Sequence, residues 1–129
     1  MRRLGLEDAV TFHGHVDAAT RDRLLGESWL MVLPSVKEGW GLAVLEAAVQ
    51  GTPTVAYRYA GGTAESVVDG CTGLLADDLD GLVAHVRTLL TDAELRERLG
   101  RRAAERAAEF SWSGTTDVVE KVLREAQRG

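Results

Sequence analysis

Short β-favouring runs alternate with helical stretches along the first 75 residues of the chain. Val10–Phe12, Leu30–Leu33, Thr54–Tyr57 and Gly73–Leu75 are separated by helical patterns at Asp17–Glu27, Gly41–Gln50 and Thr63–Val68. Strands spaced by whole helices cannot close tight hairpins. The alternation therefore predicts parallel βαβ units: an α/β fold with a parallel sheet of about four short strands and helices on both faces. Asp17 is placed to cap the first of these helices, and Gly51 follows the Gly41–Gln50 segment where a helix needs a left-handed residue to stop.

Beyond Leu75 the strand signals end. Three apolar faces follow, formed by Leu82, Val86, Leu89 and Leu90, then Leu95 and Leu99, then Val119, Val122 and Leu123. Their helical spacing predicts helices that cover the sheet. Between Asp92 and Glu109 five arginines balance five acidic residues, the pattern of a solvated helical surface.

The chain has 129 residues, enough for one core. Fifteen basic residues stand against twenty acidic ones, a formal charge of −5, which argues against nucleic acid or an anionic membrane as partner. Cys71 is the sole cysteine, so no intrachain disulfide forms and a reducing, cytoplasmic compartment is expected. No apolar run is long enough for a signal peptide or a membrane span.

The chemistry concentrates in Pro34–Ala47. Pro34 stops a strand and apolar spacing resumes at Leu42, so Glu38, Gly39, Trp40 and Gly41 fall in the connecting loop while Glu46 rides the helix. The start of such a helix presents unpaired N–H groups backed by the positive end of the macrodipole, and it attracts phosphate. Glycine at 39 and 41 lets a ligand approach the backbone closely. Carboxylates repel phosphate, so Glu38 and Glu46 make sense as acceptors for neutral hydroxyls on either side of the anion. A sugar nucleotide has that layout. Acidic residues also favour early helical turns for dipole reasons alone, and the surrounding wording separates the two explanations.

Glu38-Gly-Trp-Gly-Leu-Ala-Val-Leu-Glu46 resembles the E-x7-E segment of glycosyltransferase family four, retaining enzymes of the GT-B fold with two Rossmann-like domains. The resemblance continues in Val10-Thr-Phe-His-Gly14-His-Val16 and Leu33-Pro-Ser35 upstream. Downstream it runs through Gly51-Thr-Pro53, Gly61-Gly62-Thr-Ala-Glu65, Asp69-Gly-Cys-Thr-Gly-Leu-Leu75 and Phe110-Ser-Trp112. It implies that residues 1–129 are the later part of the carboxyl-terminal, donor-binding domain, truncated ahead of its first two strands. By resemblance, Glu46 accepts from the ribose hydroxyls, and Glu38 is the catalytic carboxylate beside the transferred sugar. The backbone of Gly39, Trp40, Gly41 and Leu42 holds the diphosphate, and Gly14, His15 and Val16 meet the base. Trp40 is alternatively a core residue.

The implied reaction is glycosyl transfer from a nucleotide-diphosphate sugar with retention. It uses no metal or other cofactor. The acceptor, whether glycan, lipid or small molecule, is not specified, and the isolated chain is expected to be inactive. A non-catalytic module that completes a split transferase on a separate chain, and a fragment of a GT-B sugar-nucleotide epimerase, are the alternatives. Thr63-Ala64 stand where the family has proline. With the preceding strands missing, Val10–Phe12 is expected either to slide against Leu30–Leu33 or to be mobile. His13 and His15 alternate along the chain, poor geometry for a shared metal. Arg58 is either an exposed arginine or a phosphate ligand at a strand end. Glu65 is explained by the helix dipole, and His85 as a partly buried surface residue.

Overall fold

Thr54, Val55, Ala56 and Tyr57 are all buried, so this run has both faces covered and forms the middle of a sheet. The computed structural model describes residues 2–36, 41–110 and 122–127. In chain order the elements are helix α1 (Ala18–Glu27), strand β1 (Met31–Leu33), α2 (Leu42–Val49), β2 (Thr54–Tyr57), α3 (Thr63–Ser66), β3 (Gly73–Ala76), α4 (Leu79–Thr91) and α5 (Ala93–Glu109). Strand order is β1-β2-β3, all parallel, with Met31 opposite Thr54 and Thr54 opposite Gly73.

Alternation along the strands sorts the core into two layers. Val55, Tyr57 and Ala76 pack with Leu82 and Leu89 of α4 and Leu99 of α5. On the other side Ala56 and Leu75 meet Val44 of α2 and Val67 just after α3, with Met31 and Leu33 partly covered. Each large aliphatic side chain so buried contributes about 1.5–3 kcal/mol. The predicted α/β architecture with helices on both faces is what forms.

Turn chemistry fixes the connections. Gly51 has φ +74°, and the amides of Gly51 and Thr52 donate to Ala48 O (2.9 Å) and Ala47 O (3.0 Å), closing α2 in a Schellman motif. A Cβ on Gly100 would sit 2.3 Å from Gly51 O, so α5 rests directly on that turn. Small side chains continue the contact, with Ala48 packed against Ala103 and Ala107. The segment ahead of β3 is closed by its own bonds: Gly70 N donates to Gly73 O, Val68 N to Thr72 Oγ1, and Leu75 N to Asp69 Oδ1.

Three expectations need correction. Val10–Phe12 is not a strand, so the sheet has three strands rather than about four among the described residues. The Val10 amide is spent on a turn, donating to Leu6 O at 3.1 Å, and Phe12 is 81% exposed. Leu90 lies too far round α4 from the Leu82–Val86–Leu89 stripe to reach the sheet, and is 48% exposed. Residues 122–127 are helical, but Val122 and Leu123 are exposed and do not cover the sheet; Val119 lies outside the described residues. None of the described helices is long and apolar enough to cross a membrane.

Candidate functional site

Helices α2 and α3 follow the carboxyl ends of β1 and β2, the edge where open α/β sheets gather ligands. Gly41 begins α2 at φ +78°, ψ 57°, a left-handed conformation, and provides no side-chain cap. It is buried, and a Cβ there would lie 2.9 Å from Ser66 Oγ. Two constraints thus demand glycine: backbone hand and the proximity of α3. The amides of Val44 and Leu45 turn back to Gly41 O, whereas those at the very start of the helix precede any intrahelical acceptor. Leu42 projects outward and is exposed.

Glu46 lies in the second turn of α2, and its Oε1 is 3.2 Å from Arg21 Nη1 of α1. Arg21 also donates through Nε and Nη2 to Asp22 Oδ1, at 3.1 and 3.0 Å. Helix α1 is held at its own start by Asp17, whose carboxylate accepts from Thr20 N at 2.7 Å; the Thr20 side chain foremost, and this amide with it, keep the Asp17 carboxyl below the ordinary aspartate range. Gly14 (φ +62°), exposed His15 and half-buried Val16 lead straight into this cap. The predicted base-contacting turn and the predicted ribose carboxylate are thereby joined through one helix. Glu38, Gly39 and Trp40 lie outside the described residues.

Arg58 is engaged by two carboxylates. Its Nη2 donates to Asp69 Oδ2 at 2.9 Å and its Nε to Asp77 Oδ1 at 3.0 Å, bonds that raise its pKa further. Partial burial pushes Asp69 upward, but the Leu75 amide and the Arg58 guanidinium outweigh it and hold the carboxyl below its usual value. His85 Nε2 lies 3.1 Å from Leu75 O, so the half-buried ring joins the same clasp across β2 and β3. Glu65 sits in the first turn of α3, as the dipole argument anticipates. His13 and His15 are both exposed, and no cluster of three or more metal-ligating side chains occurs among the described residues.

Sequence reasoning missed Arg21 and the acidic partners of Arg58. No local signal exposes such pairs, because each joins different elements. Behind α2 a cavity of about 20 Å³, reached by Thr54, Ser66 and Ala107, has room for a water and not for a nucleotide.

Comparison with known proteins matches residues 1–106 to the family described as glycosyl transferases group 1. The chain is 38% identical over 124 residues to the glycogen synthase of Mycobacterium tuberculosis, covering 94% of this chain and 30% of that protein. Against the D-inositol 3-phosphate glycosyltransferase of Corynebacterium efficiens it is 40% identical over 99 residues, covering 75% and 23%. Among solved structures, the sucrose-phosphate synthase of Thermosynechococcus elongatus superposes with a TM-score of 0.92 at 28% identity, over 98% of this chain and 32% of that one. Anabaena HepE in complex with UDP and glucose gives 0.88 at 26% identity, over 96% and 34%. The chain thus spans about a third or less of the length of these relatives. By sequence match over most of its length and by the parallel sheet that carries it, the chain belongs to the group 1 glycosyl transferase family.

Proposed function

We propose that this chain supplies the donor-binding part of a retaining glycosyltransferase that takes its sugar from a nucleotide diphosphate. The observation that carries this is the start of α2: a buried, left-handed glycine with no side-chain cap, followed by a carboxylate in the second turn. The backbone of Gly39, Trp40, Gly41 and Leu42 faces the diphosphate, Glu46 accepts from the ribose hydroxyls, and Gly14, His15 and Val16 border the base. Glu38 orients the transferred sugar and steadies positive charge at its anomeric carbon. UDP and glucose bound in Anabaena HepE support a ligand of this class.

In the reaction the bond between the anomeric carbon and the phosphate oxygen breaks, and the acceptor hydroxyl oxygen bonds to that carbon on the same face as it loses its proton. Negative charge grows on the departing diphosphate. Amides already aimed at that charge stabilise the transition state more than the ground state. No metal is needed for this role. The acceptor side, a glycan, a lipid or a small molecule, belongs to sequence beyond the third of the family's length that this chain spans, so the chain alone binds without turning over.

Titration calorimetry with UDP-, GDP- and ADP-sugars tests the proposal. Binding of one nucleotide class, abolished by Glu46→Gln together with Gly41→Ala, supports it; a folded sample giving no heat with any of them refutes it. The second reading, a non-catalytic module completing a split transferase, rests on β1. That strand pairs only with β2 among the described residues, leaving an open edge beside Val32, which is 40% exposed. Located on a separate chain or not, the complement would add a parallel strand there. The family match favours a transferase over an epimerase.

A further inference from the structure

We infer that Arg21 is a positioning residue for the donor site: it holds the Glu46 carboxylate in place and screens its charge beside the ligand's diphosphate. This rests on the donor-site function proposed above. Helix α2 reads Leu-Ala-Val-Leu-Glu-Ala-Ala-Val, so nothing on it is charged except Glu46. The neighbours on its own helical face are Leu42, Ala43, Val49 and Gln50, none of which supplies a counter-ion. A glutamate there has its rotamers free unless another element restrains it, and restraint has to come before a carboxylate can accept hydroxyl hydrogen bonds at fixed positions.

Arg21 is placed to do this. Its backbone amide closes the first turn of α1 on Asp17 O at 3.0 Å. Asp22 takes Nε and Nη2, which fixes the guanidinium plane and leaves Nη1 in an ion pair with Glu46 Oε1, 3.2 Å away. All three side chains are 35–43% exposed, so the cluster is within reach of a ligand. Arg23, the other arginine of α1, is paired with Glu27 instead. The single guanidinium between two carboxylates also lowers the negative charge that a diphosphate would meet. Arg21 itself need not touch the ligand.

The test compares UDP with its analogue lacking both ribose hydroxyls, on the 129-residue chain and its variants. Wild type is expected to prefer UDP. Arg21→Leu should lower that preference about threefold, the scale of a half-exposed ion pair, and Arg21→Lys should retain most of it. Adding Arg21→Leu to Glu46→Gln should cost nothing further in preference. A merely structural arginine would weaken both nucleotides alike, or neither. If Arg21→Leu binds and keeps the full preference, Arg21 has no positioning role while the donor site stands. If wild type binds none of UDP, GDP and ADP, the donor site falls and this inference with it; if it binds GDP or ADP in place of UDP, the same pair of ligands is made on that nucleotide and the same outcomes decide. Thermal melts of each variant verify that it is folded, as expected for a half-exposed position.

Discussion

Helices α1, α4 and α5 each begin on an aspartate whose carboxylate accepts a backbone amide: Asp17 from Thr20, Asp78 from Gly81 and Asp92 from Leu95, at 2.7, 2.7 and 3.0 Å. Helix α2 begins on Gly41, with no side chain to offer. An aspartate cap contributes about 1 kcal/mol, so a start without one forgoes stability that its neighbours have. The difference shows where the fold is closed and where it is left open. At the capped starts, the amides and the dipole are satisfied from within the protein. At α2 no side chain does this, which suits the anionic ligand proposed above, and the same helix bears Glu46, half-exposed and tied to α1 instead of to its own helix.

If closed positions govern stability and open ones govern binding, substitutions should separate the two. The largest effect belongs to Gly100→Ala. Its Cβ would lie 2.3 Å from the Gly51 carbonyl, backbone against backbone, and α5 would have to lift from the turn that ends α2. A loss of about 3 kcal/mol is expected in urea unfolding. The nucleotide affinity of the molecules that remain folded should be unchanged, because the strain falls at the opposite end of α2 from Gly41. Next comes Gly41→Ala, which forces a side chain into a left-handed residue and against Ser66 Oγ, costing about 2 kcal/mol. Here calorimetry should also show nucleotide binding reduced at least about tenfold, since the first turn of α2 must reorient. Unchanged affinity in Gly41→Ala would break the comparison.

Much of this molecule is legible from its residues alone. Thr54–Tyr57 emerges at its predicted bounds, and Met31–Leu33 and Gly73–Ala76 within a residue, because Pro34, Gly51 and Gly70 punctuate the chain by local sterics that act in any context. Val10–Phe12 has equal β-favouring character, but a strand exists only where a ladder accepts it, and its first amide turns back to Leu6 instead. The same limit applies to the site. Glycine at 41 and the carboxylate at 46 are visible as letters, since their roles follow from dihedral freedom and helix position. Arg21 is not, for its distance to Glu46 depends on how α1 packs against α2. Arg58 looks like a cation waiting for phosphate until Asp69 and Asp77 arrive from two other segments and take it.

Smaller effects sharpen the contrast. Asp78→Ala removes the acceptor for Gly81 N and should destabilise by about 1 kcal/mol, with nucleotide affinity unaltered. A matching loss of affinity would mean that α4 is also part of the open end.

The Arg58–Asp69 clasp supplies the smallest and most pH-specific effect. Asp69 has a folded pKa below its ordinary value of 3.8, so the unfolded chain binds the proton more readily than the native one. Its stabilisation is therefore complete above the unfolded pKa and disappears as pH falls through the folded pKa. Arg58, raised from an already basic value, contributes no slope in this range. Asp69→Asn retains an oxygen for the Leu75 amide and removes only the charge, so it should cost less than about 1 kcal/mol near neutrality, the scale of a solvent-screened pair. The wild-type advantage should then narrow as pH falls toward the ordinary aspartate value of 3.8 and vanish once it has passed below the lower folded one, as urea midpoints for the two proteins converge. Midpoints that stay a constant distance apart at every pH would assign the cost to lost packing, and the clasp would no longer count as an electrostatic closure of the β2–β3 end.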